Sequence, residues 1–248
     1  MNLIGHNFIA KKVLGRYNSL VAAGCHLPDM VPFLKDSLLT FNEIHEGPNT
    51  IYNYLKKNDQ KSIDLALGLM THSVKFGADK FNKDIDVWLL RSNEKLKTKV
   101  AERIIKTSGV DLKTALGPRM HNYLWCGIDF YILDKYPDFI VELNTAYKEI
   151  NIPEISEILS KAFQKPLETV QNNVEKQLGL VVKHHISSKK DFVSFWKEFV
   201  SELPENDSID VNEVVNTINF IEGLFDEQWK AINDRVVADI RTRMSSYL

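Results

Sequence analysis

Apolar residues recur every three or four positions along nearly the whole chain, and histidines repeatedly take a place in those stripes. Leu65, Leu69, His72 and Phe76 form one such stripe, and His121, Leu124, Ile128 and Ile132 form another. Shorter stripes run through Ile51, Tyr54 and Leu55, and through Val87, Leu90, Leu96, Val100, Ile104 and Ile105 towards Gly109. Alternating strand patterns are missing; Leu180-Val181-Val182 is the nearest approach and is too short to make one. The expected class is all-α.

Beyond residue 150 the character changes. Pro153 and Pro166 each start a helical segment, and Ser187-Ser188 precedes one carrying Phe192, Phe195, Trp196 and Phe199. Leu203 to Ser208 reads as a loop. A long terminal helix with Val214, Ile218, Ile221, Phe225, Trp229 and Ile232 follows it. The expected organisation is a helical metal-binding core over 1–150 and a helical extension over 151–248, packed on that core.

Composition excludes several classes of function. With a formal charge of −2, no global field draws the 248-residue chain to nucleic acid, and no stable nucleic-acid complex is expected. No apolar run approaches the roughly 20 residues needed to span a bilayer. Lys11, Lys12 and Arg16 follow the first apolar stretch, the reverse of a secretory signal. Cys25 and Cys126 are the two cysteines and form no CxxC pair. The expected location is the cytoplasm.

Chemistry concentrates in the first half. Five of the seven histidines (His6, His26, His45, His72 and His121) lie before residue 130, with Asp29, Glu43, Asp79 and Asp129 nearby in sequence. An imidazole is costly to bury without a partner, and neutral imidazole with carboxylate is a typical ligand set for zinc or a similar ion. Each of these histidines can instead be a core residue bonded to a carbonyl. Pro28 disfavours helix at Leu27, so Asp29 is expected to open a new segment, as a ligand or as a helix cap. His72 and Asp79 return to the same helix face but roughly 10 Å apart along a straight axis. Either they serve neighbouring ions, or Gly77 breaks the helix and lets Asp79 fold back. His121 and Asp129 pose the same question, with Gly127 between them. His45 precedes Gly47-Pro48 and is presented from the end of a segment. The chain lacks an adjacent His-Asp doublet, HExxH, Glu-x-x-His and glycine-rich phosphate loops. His184-His185, beside Lys183, reads as surface.

Taken in order, Gly5-His6, Leu27-Pro28-Asp29, Ile44-His45, Leu67-Gly68-Leu69-Met70-Thr71-His72 and His121 resemble the zinc-dependent phospholipase C family and its helical nuclease relatives. The likeness covers about residues 1 to 130. It implies a multi-helix bundle of the phospholipase C/P1 nuclease type holding divalent ions, zinc foremost and manganese or iron next. It implies His6, Asp29, His45, His72, Asp79 and His121 as ligands. Where the family pattern would place acids, this chain has Phe76 and Trp125, so one or two ions are expected. The implied function is a hydrolase that attacks a phosphodiester or phosphate ester, on a small molecule or a lipid, with water activated by the metal. Asp29 or Asp79 would bridge ions or orient the water, and Arg119 would contact phosphate, with Lys75 a lesser candidate. Tyr123, Trp125 and Trp88 can contact a lipid or a nucleotide. The alternatives are a helical binding or regulatory protein with a degenerate or structural metal site, and a metal-free bundle with scattered core histidines.

Overall fold

The structure is a computed structural model, and it describes residues 3–30, 37–81, 84, 90, 93–201, 210–224 and 228–248. Twelve α-helices of ten residues or more run through the described residues, which contain no strand. They are α1 (Leu3–Leu14), α2 (Ser19–Met30), α3 (Asn49–Asn58), α4 (Ile63–His72), α5 (Glu94–Ser108) and α6 (Met120–Lys135). The rest are α7 (Pro137–Lys148), α8 (Ile152–Phe163), α9 (Leu167–Lys183), α10 (Lys189–Ser201), α11 (Val211–Glu222) and α12 (Trp229–Arg243). The all-α class read from periodicity is what the chain adopts.

Local chemistry explains most of the boundaries. Asn93 caps α5 by accepting from the Leu96 N–H, and Gly109 ends it in the left-handed region at φ 68°. Asn151 caps α8, and Pro153 occupies its first turn, where a missing N–H costs nothing. Ahead of α10, Ser188 Oγ accepts the Asp191 N–H while Asp191 accepts from Ser187.

Leu180-Val181-Val182, too short for a strand by its sequence, lies within α9, where Val174, Leu178 and Val181 share the buried side. Some expectations are corrected. The long terminal helix is two helices, α11 ending at Gly223 and α12 starting at Trp229. The stripe through His72 stops being helical at Ser73, whose ψ of 156° is extended, so Phe76 lies in the turn beyond α4. In α3 the buried tyrosine is Tyr52, not Tyr54. Val87, Trp88, Phe225 and the expected loop at 203–208 lie outside the described residues.

The chain forms two compact units, each drawing on both sides of residue 150. One comprises residues 1–5, 81–140 and 186–235, and its core is built by α5, α6, α10 and α11 around Val100, Ile104, Leu124, Ile128, Phe192, Phe195, Val214 and Ile218. The other comprises residues 6–80, 141–185 and 236–248, with α2 and α4 packed most closely and α3, α8 and α9 around them. Its core includes Val21, Leu27, Ile44, Ile51, Leu65, Leu69, Leu143, Ile155, Leu159 and Val174.

Candidate metal centre

The second unit holds the candidate site, and two glycines make it. A Cβ on Gly24 would stand 2.3 Å from the Leu65 carbonyl oxygen, and one on Gly68 would stand 2.5 Å from that of Val21. The backbones of α2 and α4 therefore touch, which only glycine permits at these positions. This close crossing brings the Cys25 carbonyl, on α2, to His72, on α4, and His72 Nδ1 donates to it at 2.6 Å. Asp29 rides one turn beyond Cys25 on the same helix. Contrary to the sequence expectation, α2 runs through Pro28 and Asp29 lies in its last turn. Burial of Leu27, fully enclosed, outweighs the local preference against helix before proline.

Asp79 arrives from the other direction. After His72 the chain turns through Ser73 to Gly77, and Ala78–Phe81 forms one turn of 3₁₀-helix. A Cβ on Gly77 would stand 2.2 Å from the Thr71 carbonyl oxygen, so glycine is what lets the chain fold back over the end of α4. Asp79 Oδ2 consequently lies 3.5 Å from His72 Nε2, and Asp79 Oδ1 lies 3.3 Å from His6 Nε2. Of the two arrangements left open by sequence, folding back at Gly77 is the one adopted. His6 comes from α1, and its ring stacks on His72 with centroids 3.7 Å apart.

His6, Asp29, His72 and Asp79 form a group whose four ligand atoms all lie within 4.8 Å of one another. Asp29 Oδ1 stands 3.4 Å from His72 Nε2, and Asp29 Oδ2 stands 4.0 Å from His6 Nε2. Ligands at about 2.0–2.2 Å around a tetrahedral ion are roughly 3.3–3.6 Å from each other. The cage is close to that size.

The charge balance of the cage is the most informative observation. A carbonyl can only accept, so the Cys25 bond fixes the hydrogen of neutral His72 on Nδ1. Nε2 then carries a bare lone pair, is buried, makes no hydrogen bond, and faces two carboxylates. Lone pairs and anions gathered in a dry site require a cation among them. In the metal-free protein the ring must take up a proton: burial opposes this, but Asp29 and Asp79 prevail and hold His72 at about 10. Asp79 is buried, which would raise it, yet His72 and the hydrogen bonds from His45 and His6 hold it well below the usual carboxylate range. Asp29 is likewise lowered despite burial, by His72 and then His6. His6 is lowered by burial and by its positive neighbour His72. A divalent ion would supply the positive charge that the proton otherwise supplies, and His72 has the hydrogen bond from its second nitrogen that metal-bound histidines show.

The remaining sequence candidates are placed differently. His45 lies on one turn of π-helix, Asn42–Glu46, and its Nε2 meets Asp79 Oδ2 at 2.5 Å. His121 belongs to the other unit, where it is half-buried on α6 and accepts the indole N–H of Trp125 at 3.3 Å. Arg119 is also in that unit, half-buried at the end of a π-turn that precedes α6. Asp129 is buried there and accepts the Gly5 N–H at 2.8 Å. Lys75 is exposed after α4. His26 is buried on α2 against the edge of Tyr147, and burial pushes it down to about 3, so it is neutral.

Sequence reasoning overlooked the Cys25 carbonyl and the Gly24–Gly68 contact. The usable signal was a glycine within each of two apolar helical runs. Comparison with known proteins finds no matching family model, no matching curated protein and no matching solved structure. The reading of the site therefore rests on this chain's own residues.

Proposed function

We propose that His6, Asp29, His72 and Asp79 hold a divalent cation, zinc foremost, and that the protein is a metal-dependent hydrolase of phosphodiesters or phosphate esters. The observation that supports the cation is His72 Nε2, which the Cys25 bond leaves without a hydrogen in the neutral ring and which stands 3.4 Å from Asp29 and 3.5 Å from Asp79. The hydrolase assignment and the phospholipase C/P1 nuclease type of bundle rest on the sequence resemblance. An ion in such a site supplies Lewis acidity, making water a usable nucleophile near neutral pH and offsetting charge on phosphoryl oxygens.

The chain's own residues divide the remaining work. His6 and His72 are enclosed and exclude water from one side of the cage, while the Asp29 side chain keeps 18% of its surface exposed. Solvent and substrate therefore approach along Asp29, which is placed to orient a water. Asp79, 8% exposed, serves charge neutralisation from within. No described helix is long and apolar enough to cross a membrane.

A second reading is a structural ion in a helical binding or regulatory protein. It is favoured by the burial of His6, His72 and Asp79, since structural sites are closed and catalytic ones keep a position open. Elemental analysis of protein purified without chelator or histidine tag tests the ion. About one equivalent of metal is expected, and His72→Ala should lose it. Hydrolysis of bis(p-nitrophenyl) phosphate that stops with chelator selects the hydrolase. Stoichiometric metal with no turnover, and a large fall in stability on chelation, selects the structural ion.

A further inference from the structure

The cage has a fifth side chain, and its geometry differs from that of the other four. Resting on the metal reading above, we propose that His45 lies outside the coordination sphere and acts as a positioning residue for Asp79.

Two observations carry the assignment. First, His45 Nε2 and Asp79 Oδ2 are 2.5 Å apart, a direct hydrogen-bond contact with no room for an ion between them. Two atoms bound to one tetrahedral ion would stand about 3.3 Å or more from each other. The cage distances of 3.3, 3.4 and 3.5 Å meet that requirement, and this one does not. Second, the four ligand atoms lying within 4.8 Å of one another come from His6, Asp29, His72 and Asp79, without His45.

Phe41 completes the clamp: its ring lies parallel to His45 at 14°, with centroids 4.3 Å apart, fixing the plane in which His45 donates. The bond to Oδ2 leaves Oδ1 facing His6 Nε2 at 3.3 Å while Oδ2 also stands 3.5 Å from His72 Nε2, so His45 fixes the plane of the Asp79 carboxylate.

Cobalt(II) alone is a sufficient probe. The full-length protein, His45→Gln and His45→Ala are each titrated with Co²⁺, and the imidazoles bound to cobalt are counted by X-ray absorption. The parent should bind one equivalent through two imidazoles, and both variants should keep that count. His45→Ala should weaken cobalt binding by about 10–100-fold, the usual effect of removing an orienting partner. His45→Gln, whose amide can still donate to Asp79, should recover much of the loss. A count that falls by one in either variant makes His45 a ligand and overturns the assignment while leaving the metal reading intact. A parent that binds no cobalt overturns both.

Discussion

Particular polar clusters of the two units are balanced in opposite ways. In the unit built on α5, α6, α10 and α11, a threonine pair and an ion triad answer within themselves. Thr107 donates to the Arg103 carbonyl and pairs with Thr217 at 2.7 Å, and Lys189 Nζ reaches both Asp134 at 2.7 Å and Glu222 at 2.5 Å. Donor meets acceptor and cation meets anion. In the other unit, three histidines and two aspartates converge from α1, α2, α4 and the turns at His45 and Asp79, and acceptors outnumber donors. The first arrangement is complete as a protein, whereas the second, with neutral imidazoles, carries negative charge that a proton on His72 or a bound cation would offset. A buried polar cluster that balances on its own speaks for stability; one that balances only with an added charge speaks for a ligand.

The largest test of that contrast is pH with and without metal. His72 is raised from its unfolded value of about 6.5 to about 10 in the metal-free fold. Its contribution is therefore complete below about pH 6.5 and disappears as pH rises through 10. Asp29 and Asp79, held low, contribute above about pH 4, a stabilisation lost on acidification. Urea midpoints of chelated protein should fall by a few kcal/mol equivalent between pH 6 and pH 10, and those of metal-loaded protein should not. Equal midpoints at the two pH values without metal would mean that the cage needs no cation.

A smaller effect is expected at the helix crossing. Gly24→Val forces a side chain into the Leu65 carbonyl, and overpacking of this kind costs about 1–3 kcal/mol. Because it also moves the Cys25 carbonyl from His72, metal affinity should fall with stability. A destabilised variant with unchanged affinity would uncouple the crossing from the site. The smallest effect belongs to the self-balanced ion triad of Lys189, Asp134 and Glu222. Lys189→Met should cost about 1–2 kcal/mol, since Glu222 is largely buried and loses its cation while Asp134 is half-exposed. Metal content should be unaffected; a variant that loses metal would join what the comparison separates.

Periodicity made the helices legible, since stripes such as Leu65, Leu69 and His72 follow directly from 3.6 residues per turn. His6, Asp29, His72 and Asp79 were all named from residue type and order, and the cage contains them. Their convergence was not legible, because it depends on two backbone contacts and a chain reversal. Gly77 was readable as a break, yet nothing local says which way the chain turns after it. His121 shows the limit from the other side: its place in an apolar stripe looks like that of His72, and it belongs to a different unit with a tryptophan for a partner. Pro28 shows that a local rule yields when the residue before it is fully buried.

The touching backbones at Gly24 and Gly68 bear on ion size. Asp29 and the carbonyl that sets the His72 tautomer share one helix, and that helix has no slack against α4 at the point of contact. Calcium prefers oxygen ligands at about 2.3–2.6 Å, so it would demand a wider cage than zinc. On the proposed reading, the spacing of the helices that carry Asp29 and His72 is set by two residues that have no side chain and would touch no ion.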